Sequence, residues 1–165
     1  MKKCVLFLCI LGFVAISTSA FGASQNQNLT VNMAISARAK LTVSPSTINF
    51  SDADPDTSPS VAADSTVSVT AKVRTGAASN ATLTHLAGGD LTATGGTIAI
   101  SNITWTGTGT GFAGTGTMNK TTAQSVGSWT GSGSYSGTLT YSIVNSWTYA
   151  TGNYTVSTTY TLTAP

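Results

Sequence analysis

The sequence predicts an all-β fold, and more specifically an antiparallel β-sandwich. About a third of residues 23–165 are Ser or Thr, and Ala, Val, Gly, Tyr and Trp supply much of the rest. This composition favours pleated sheets linked by glycine turns over helices. Apolar residues also recur at period two in several short runs, and no segment has a helical period, so the strands are expected to form a sandwich.

Residues 1–22 have the pattern of a secretory signal peptide. Two lysines precede a short apolar run, and small residues follow it. Cleavage is expected before Ala23, with cleavage after Ala20 as the alternative, and the run is too short to span a membrane. Because both cysteines fall within this segment, the exported chain is expected to contain no disulfide.

The charge of the exported chain is balanced. Two of the seven Lys and Arg residues lie in the signal peptide, which leaves five cations against five Asp and no Glu. We therefore expect no basic patch of useful density and no nucleic-acid partner. His85 is the only histidine and has no Cys or Glu to act with, so it predicts neither a catalytic group nor a metal site. We expect a partly exposed strand histidine, no enzyme activity and no cofactor.

The first half of the chain contains four runs that predict strands. Apolar residues alternate from residue 29 to residue 43, which is long for one strand, and Pro45 follows directly. Ile48 and Phe50 predict a short strand before a loop rich in Asp, Pro and Ser at residues 51–60. Residues 67–73 predict a clean strand, and residues 81–87 predict a weaker one.

The second half begins with a change of phase between Ile100 and Ile103, which predicts two strand pieces joined by a bulge or kink. The glycine-rich segment 107–137 is interpreted as short strands with mobile turns, because large apolar residues recur through it. Those residues are Phe112, Met118, Val126, Trp129 and Tyr135. Residues 139–143 predict one further strand.

The last predicted strand follows Gly152 and alternates between two faces. Tyr154, Val156, Tyr160 and Leu162 share one face, and hydroxyl-bearing residues occupy the other. We expect this strand at an edge of the sandwich, or bordering a gap, with the four large side chains facing inward. The alternating residues 29–35 form the corresponding segment near the other end.

Both ends of the chain resemble those of chaperone–usher pilins, the subunits of bacterial surface fibres. Gly152 lies fourteen residues from the end, as in that family, and alternating apolar residues follow it. The segment "NLTVNMAIS" looks like the family's N-terminal donor strand, with Leu29, Val31, Met33 and Ile35 as its apolar side chains. The chain differs from the best-known pilins in its lack of a disulfide and in Ala164, where many pilins have an aromatic residue. In these respects it is similar to the divergent colonisation-factor-like, archaic and spore-coat-U-like branches.

The resemblance implies an immunoglobulin-like sandwich that is completed by a donor strand from a neighbouring copy. Its parts would be a signal peptide (1–22), a donor-strand arm (23–36) and a domain (37–165). The acceptor groove and chaperone-binding strand would use Gly152, Tyr154, Val156, Tyr160 and Leu162. The expected partners are copies of the chain itself, a periplasmic chaperone and an outer-membrane usher, and the chain would pass through the periplasm to an extracellular fibre.

The alternative is a closed sandwich in which residues 29–35 pair with the last strand of their own chain. The protein would then be a self-contained secreted module that binds carbohydrate or a surface. Trp105, Trp129 and Trp147 could stack on sugar rings, although residues of this size are more often in the core.

The spacing of Asp52, Asp54 and Asp56 resembles a calcium-binding loop. Pro55 interrupts that motif, however, and no distal Glu completes it. A solvated loop is therefore expected here.

Overall fold

The computed structural model describes residues 25–165, which form an all-β structure. The predicted signal peptide lies outside the described residues. Residues 25–37 have no regular secondary structure, and the chain from Ala34 to Pro165 forms one compact unit.

The described residues contain eleven strands and one short 3₁₀ turn, at Ile100–Asn102. The strands are β1 (Arg38–Ser44), β2 (Ser60–Ala62), β3 (Val67–Arg74), β4 (Asn80–Ala87), β5 (Leu91–Ala93), β6 (Gly96–Ile98), β7 (Ile103–Thr108), β8 (Thr115–Thr117), β9 (Gln124–Thr130), β10 (Gly133–Val144) and β11 (Thr158–Thr163).

Two antiparallel sheets build a sandwich-like arrangement, which confirms the predicted fold class. The first sheet has the order β1-β3-β10-β7-β8, and β2 pairs with the end of β10. The second sheet has the order β11-β4-β9, and β5 and β6 form a separate hairpin. The first sheet is built around β10, which pairs with β3 on one side and β7 on the other.

The core is filled by residues that alternate along these strands. In β3, Val67, Val69, Ala71 and Val73 are buried and the residues between them face outward or are half-buried, as their spacing predicts. β10 contributes Leu139, Tyr141 and Ile143 to the same core, and β4 contributes Ala81, Leu83, His85 and Ala87. β4 was predicted to be the weaker strand, but it is the central strand of the second sheet.

The predicted change of phase near residue 101 is confirmed. β6 ends at Ile98, the 3₁₀ turn follows, and β7 begins at Ile103, so Ile98, Ile100 and Ile103 are all buried despite their uneven spacing. Asp90 fixes the turn, because its Oδ1 accepts a hydrogen bond from the Ile100 N–H at 3.0 Å.

Three strand predictions are wrong in extent. Residues 29–35 are in no strand, and β1 begins only at Arg38. Ile48 and Phe50 form no strand, although Phe50 makes a single bridge to Ala63. β11 begins at Thr158, because its partner β4 ends at Ala87, and before it only Thr155 bridges to Thr92.

Candidate functional site: a groove beside the last strand

The two sheets each end in a strand with an open edge. β1 pairs only with β3, and β11 pairs only with β4, among the strands of residues 25–165. A groove of about 1500 Å³ is bordered by Val43 at the end of β1 and by residues 152–158 leading into β11. The candidate site is therefore a place where strands from the two sheets are not joined.

The lining of the groove is the interior of the sandwich. Val67, Leu91, Ile103 and Met118 belong to the buried core and also reach the groove wall. Half-buried apolar residues complete the wall on the β1 side, and these are Val43, Ile48, Phe50 and Val61. The groove thus presents an apolar surface that is suited to further apolar side chains.

The last strand faces the core as predicted. Tyr154, Val156, Tyr160 and Leu162 are half-buried and pack on the core, whereas the odd-numbered residues 155–163 are exposed. Tyr154, Val156 and Tyr160 line the groove together with Gly152, which is itself exposed. Leu162 packs on the core without lining the groove.

The main chain of residues 154–157, just before β11, is hydrogen-bonded on one side only. The N–H and C=O of Thr155 both bond to Thr92 at 3.2 Å, and the C=O of Ser157 accepts from the Gly88 N–H at 2.8 Å. Because main-chain groups alternate sides along an antiparallel strand, those of Tyr154 and Val156 point the other way, toward the groove. The edge therefore offers both main-chain groups and apolar side chains.

A largely buried polar cluster adjoins the groove, which Tyr141 and Tyr160 help to line. The hydroxyls of Tyr141 on β10 and Tyr160 on β11 share a hydrogen bond, and the Tyr141 hydroxyl lies 3.4 Å from Nδ1 of His85 on β4. Burial raises the pKa of both tyrosines. The cluster connects the two sheets through side chains, because Tyr141 lies in the first sheet and His85 and Tyr160 lie in the second.

The expectation of a partly exposed His85 is wrong, since the side chain is only 1% exposed. Burial lowers its pKa from 6.5 to about 4, so the imidazole is neutral at pH 7. The ring packs edge-on against Trp105, with ring centres 5.5 Å apart. His85 shares the alternation of Ala81, Leu83 and Ala87, which indicates that it faces the core with them. Histidine is not among the residue types most often fully buried, so its residue type argued against this position.

The residues proposed as a donor strand stand free of regular structure. Leu29, Val31, Met33 and Ile35 are 88, 82, 80 and 60% exposed. Four large apolar side chains at alternate positions are thus left to water.

The three tryptophans do not form one platform. Trp105 and Trp129 are 2% and 5% exposed, and Trp129 stacks on Tyr135 with ring centres 4.9 Å apart. Trp147 alone among the three is at the surface, at 69% exposure, and its Nε1 donates to Asp56 Oδ1 at 3.0 Å. The core interpretation therefore holds for two of the three.

The aspartates at 52–56, which we name the acidic loop (Asp52, Asp54 and Asp56), lie beside the groove. Asp52 and Asp54 belong to its lining. The Asp54 carboxylate accepts from the Asp56 N–H at 2.9 Å and closes a local turn. No group of three or more metal-ligating side chains lies together within residues 25–165.

The expectation of no basic patch is wrong, because the fold gathers four of the five cations of the described chain. Arg38 is opposite Arg74, and Lys40 is opposite Lys72, across the β1–β3 pair. All four are exposed, and we name them the cationic face. Only Lys120 lies elsewhere, in an ion pair with Asp90, whose pKa it lowers.

No family model, curated protein or solved structure matches this chain. Residues 25–165 contain no helix with the length and apolarity needed to cross a membrane.

Proposed function

We propose that this chain is a structural subunit of a bacterial surface fibre, assembled when a donor strand of one copy completes the sandwich of the next. The groove beside the last strand is the observation that carries the proposal. It combines an apolar wall with an unpaired main-chain edge, and these are the two features that an added strand recognises.

The exposed segment 29–35 is the occupant that we propose for the groove. Its four apolar side chains recur at every second residue, which is the spacing of pockets along a strand edge. Burying them at about 1.5–3 kcal/mol each stabilises a junction by about 6–12 kcal/mol in total, before the cost of ordering the arm. An added strand would also cover an edge that otherwise favours aggregation.

The further partners follow from the resemblance of both chain ends to pilins. We propose that the chain is exported, is held by a periplasmic chaperone at residues 152–162, and reaches the cell surface through an outer-membrane usher. The function is structural, and it needs neither catalysis nor a cofactor.

The experiment that tests the proposal compares two faces of the arm in protein comprising residues 23–165. Val31→Asp/Met33→Asp changes the apolar face, and Thr30→Asp/Asn32→Asp makes the same charge change on the other face. We expect wild type and the second variant to form concentration-dependent assemblies in size-exclusion chromatography with light scattering, and the first variant to stay monomeric.

The competing closed sandwich predicts a different result. Wild-type protein would remain a monomer at every concentration, with its arm protected from proteolysis. That outcome would favour a self-contained binding module, and the exposed Trp147 would then be the first residue to test for sugar binding.

A further inference from the structure

We propose that successive copies dock with opposite charges in contact, the cationic face of one copy against the acidic loop of the next. The partner is a second copy of this chain, so the inference rests on the proposed fibre function. It identifies the surfaces of the two copies that contact each other beside the donor strand. It also fixes which end of one copy faces which end of the next.

The register of the cationic face is unfavourable for an isolated domain. Arg38 and Arg74 are directly opposite, as are Lys40 and Lys72, and like charges in such cross-strand positions repel. All five aspartates of the described chain are elsewhere, at positions 52, 54, 56, 64 and 90. A face that repels itself is stabilised when an anionic surface covers it.

The cationic face and the acidic loop lie at opposite ends of the domain. Arg38 and Arg74 mark the shared end of β1 and β3, while Ser44 and Ser68 mark the other end. Asp64 precedes β3 there, and Asp56 bonds to Trp147 just beyond the end of β10. The eight residues of β3 alone separate the two ends by roughly 23 Å, so neighbouring subunits can bring together charges that one subunit keeps apart.

The donor arm leaves the domain at the cationic end, because it leads directly into Arg38. Only Ser36 and Ala37 separate Ile35 from that residue, so Arg38 lies within about 10 Å of wherever Ile35 binds. The groove that would receive Ile35 is lined by Asp52 and Asp54. The reach of the chain therefore brings the two charged surfaces close together.

The direction of the added strand decides which end of the groove Ile35 occupies. Every strand pair in both sheets is antiparallel, and an arm that is antiparallel to β11 runs from Leu162 toward Tyr154. Pro165 beyond Leu162 accepts a hydrogen bond from Thr75, next to Arg74, so the Leu162 end lies beside the cationic face. Ile35 then lies near Tyr154, at the other end, where the acidic loop lies. An arm parallel to β11 would reverse this and carry Arg38 away from the acidic loop.

The experiment follows the assembly rate of the full exported chain, residues 23–165, by light scattering after dilution from denaturant. One variant reverses the cationic face from +4 to −4 (Arg38→Glu/Lys40→Glu/Lys72→Glu/Arg74→Glu), a second reverses the acidic loop from −3 to +3 (Asp52→Lys/Asp54→Lys/Asp56→Lys), and a third combines both. Thr104→Glu/Thr106→Glu adds negative charge to exposed positions of β7 as a control. Circular dichroism identifies any variant that does not fold.

We expect each single reversal to slow assembly at least ten-fold at low salt, and the combined variant to recover most of the wild-type rate. The control should assemble at close to the wild-type rate, and added salt should slow wild type toward the single reversals. Wild-type assembly that is insensitive to salt and to both reversals would overturn the charged junction and leave the fibre function standing. Failure of wild type to assemble at all would overturn both, and failure of the combined variant to recover would reject the pairing of these two surfaces.

Discussion

Nδ1 of His85 and the hydroxyl oxygen of Tyr141 lie 3.4 Å apart, and this contact joins the central strand of one sheet to the central strand of the other. Both residues are buried, and Nε2 of His85 has no hydrogen-bond partner among the described residues. The core thus contains an ionisable group that can be protonated only at a cost. That cost makes the stability of the domain depend on pH.

We predict that the domain loses stability as the pH falls from 6.5 to about 4. The folded state lowers the pKa of His85 from 6.5 to about 4, so in this window the unfolded chain binds the extra proton and unfolding is favoured. The loss should reach on the order of 3 kcal/mol near pH 4. Denaturant unfolding at several pH values measures it, and His85→Gln is the comparison that should remove most of the slope. An equal slope in that variant would contradict the assignment.

We predict a second loss of stability above pH 10, with Tyr141 and Tyr160 as its cause. Burial raises the pKa of both phenols in the folded state, so above pH 10 the unfolded chain releases protons that the folded chain retains. Tyr141→Phe/Tyr160→Phe should flatten the dependence of unfolding free energy on pH between 10 and 11. An unchanged dependence in the double variant would contradict the assignment.

We predict that Val156→Asp destabilises the domain by several kcal/mol, whereas Ser157→Lys changes its stability by less than about 1 kcal/mol. The Val156 side chain packs on the core and would bring an unpaired carboxylate there, while Ser157 faces water. Urea unfolding of both variants measures the difference. Similar midpoints for the two would show that the alternation of the last strand has been assigned to the wrong faces.

We predict that Gly116→Ala is destabilising by about 1–3 kcal/mol and that Gly114→Ala, two residues earlier, is close to neutral. A Cβ at Gly116 would lie 2.4 Å from the ring of the buried Trp105, whereas a Cβ at Gly114 has no atom within 4 Å. Thermal unfolding and tryptophan fluorescence report the change. Equal effects at the two positions would mean that contact with Trp105 is not the reason for glycine at 116.

The faces of the strands could be predicted from the sequence because alternation is a local property. Val67, Val69 and Val73 mark their own strand, and Tyr154 and Val156 mark the inward side of the last one. The burial of His85 was not predicted, because histidine is usually not fully buried, even though the alternation along β4 places it on the core face. Strand lengths were also missed, since the extent of β11 depends on where β4 ends, 71 residues earlier in the chain.

The cationic face and the acidic loop illustrate the same limit. Arg38 and Arg74 are far apart in the sequence and become opposite only through the register of β1 with β3. Residues 23–165 contain five cations and five aspartates, which looks like an even distribution in the sequence. The separation of the four cations of the cationic face from the acidic loop depends on contacts that no local pattern contains. The groove between strands that do not pair depends on such contacts too.

The position of β10 in the middle of the first sheet has a kinetic consequence. Gly133 pairs with Val73, sixty residues earlier, and β11 finds its partner β4 at a still greater distance along the chain. Contacts between such remote segments make folding slow, on the scale of milliseconds to seconds. The reason is that long loops must close, at a cost in chain entropy, before the stabilising strand pairs can form. Until β10 docks, β3 and β7 each have an unpaired edge, and both strands are rich in Val, Ile and Thr, a composition prone to aggregation. The delay before β10 docks is therefore the stage at which binding by an escort protein would protect this chain most.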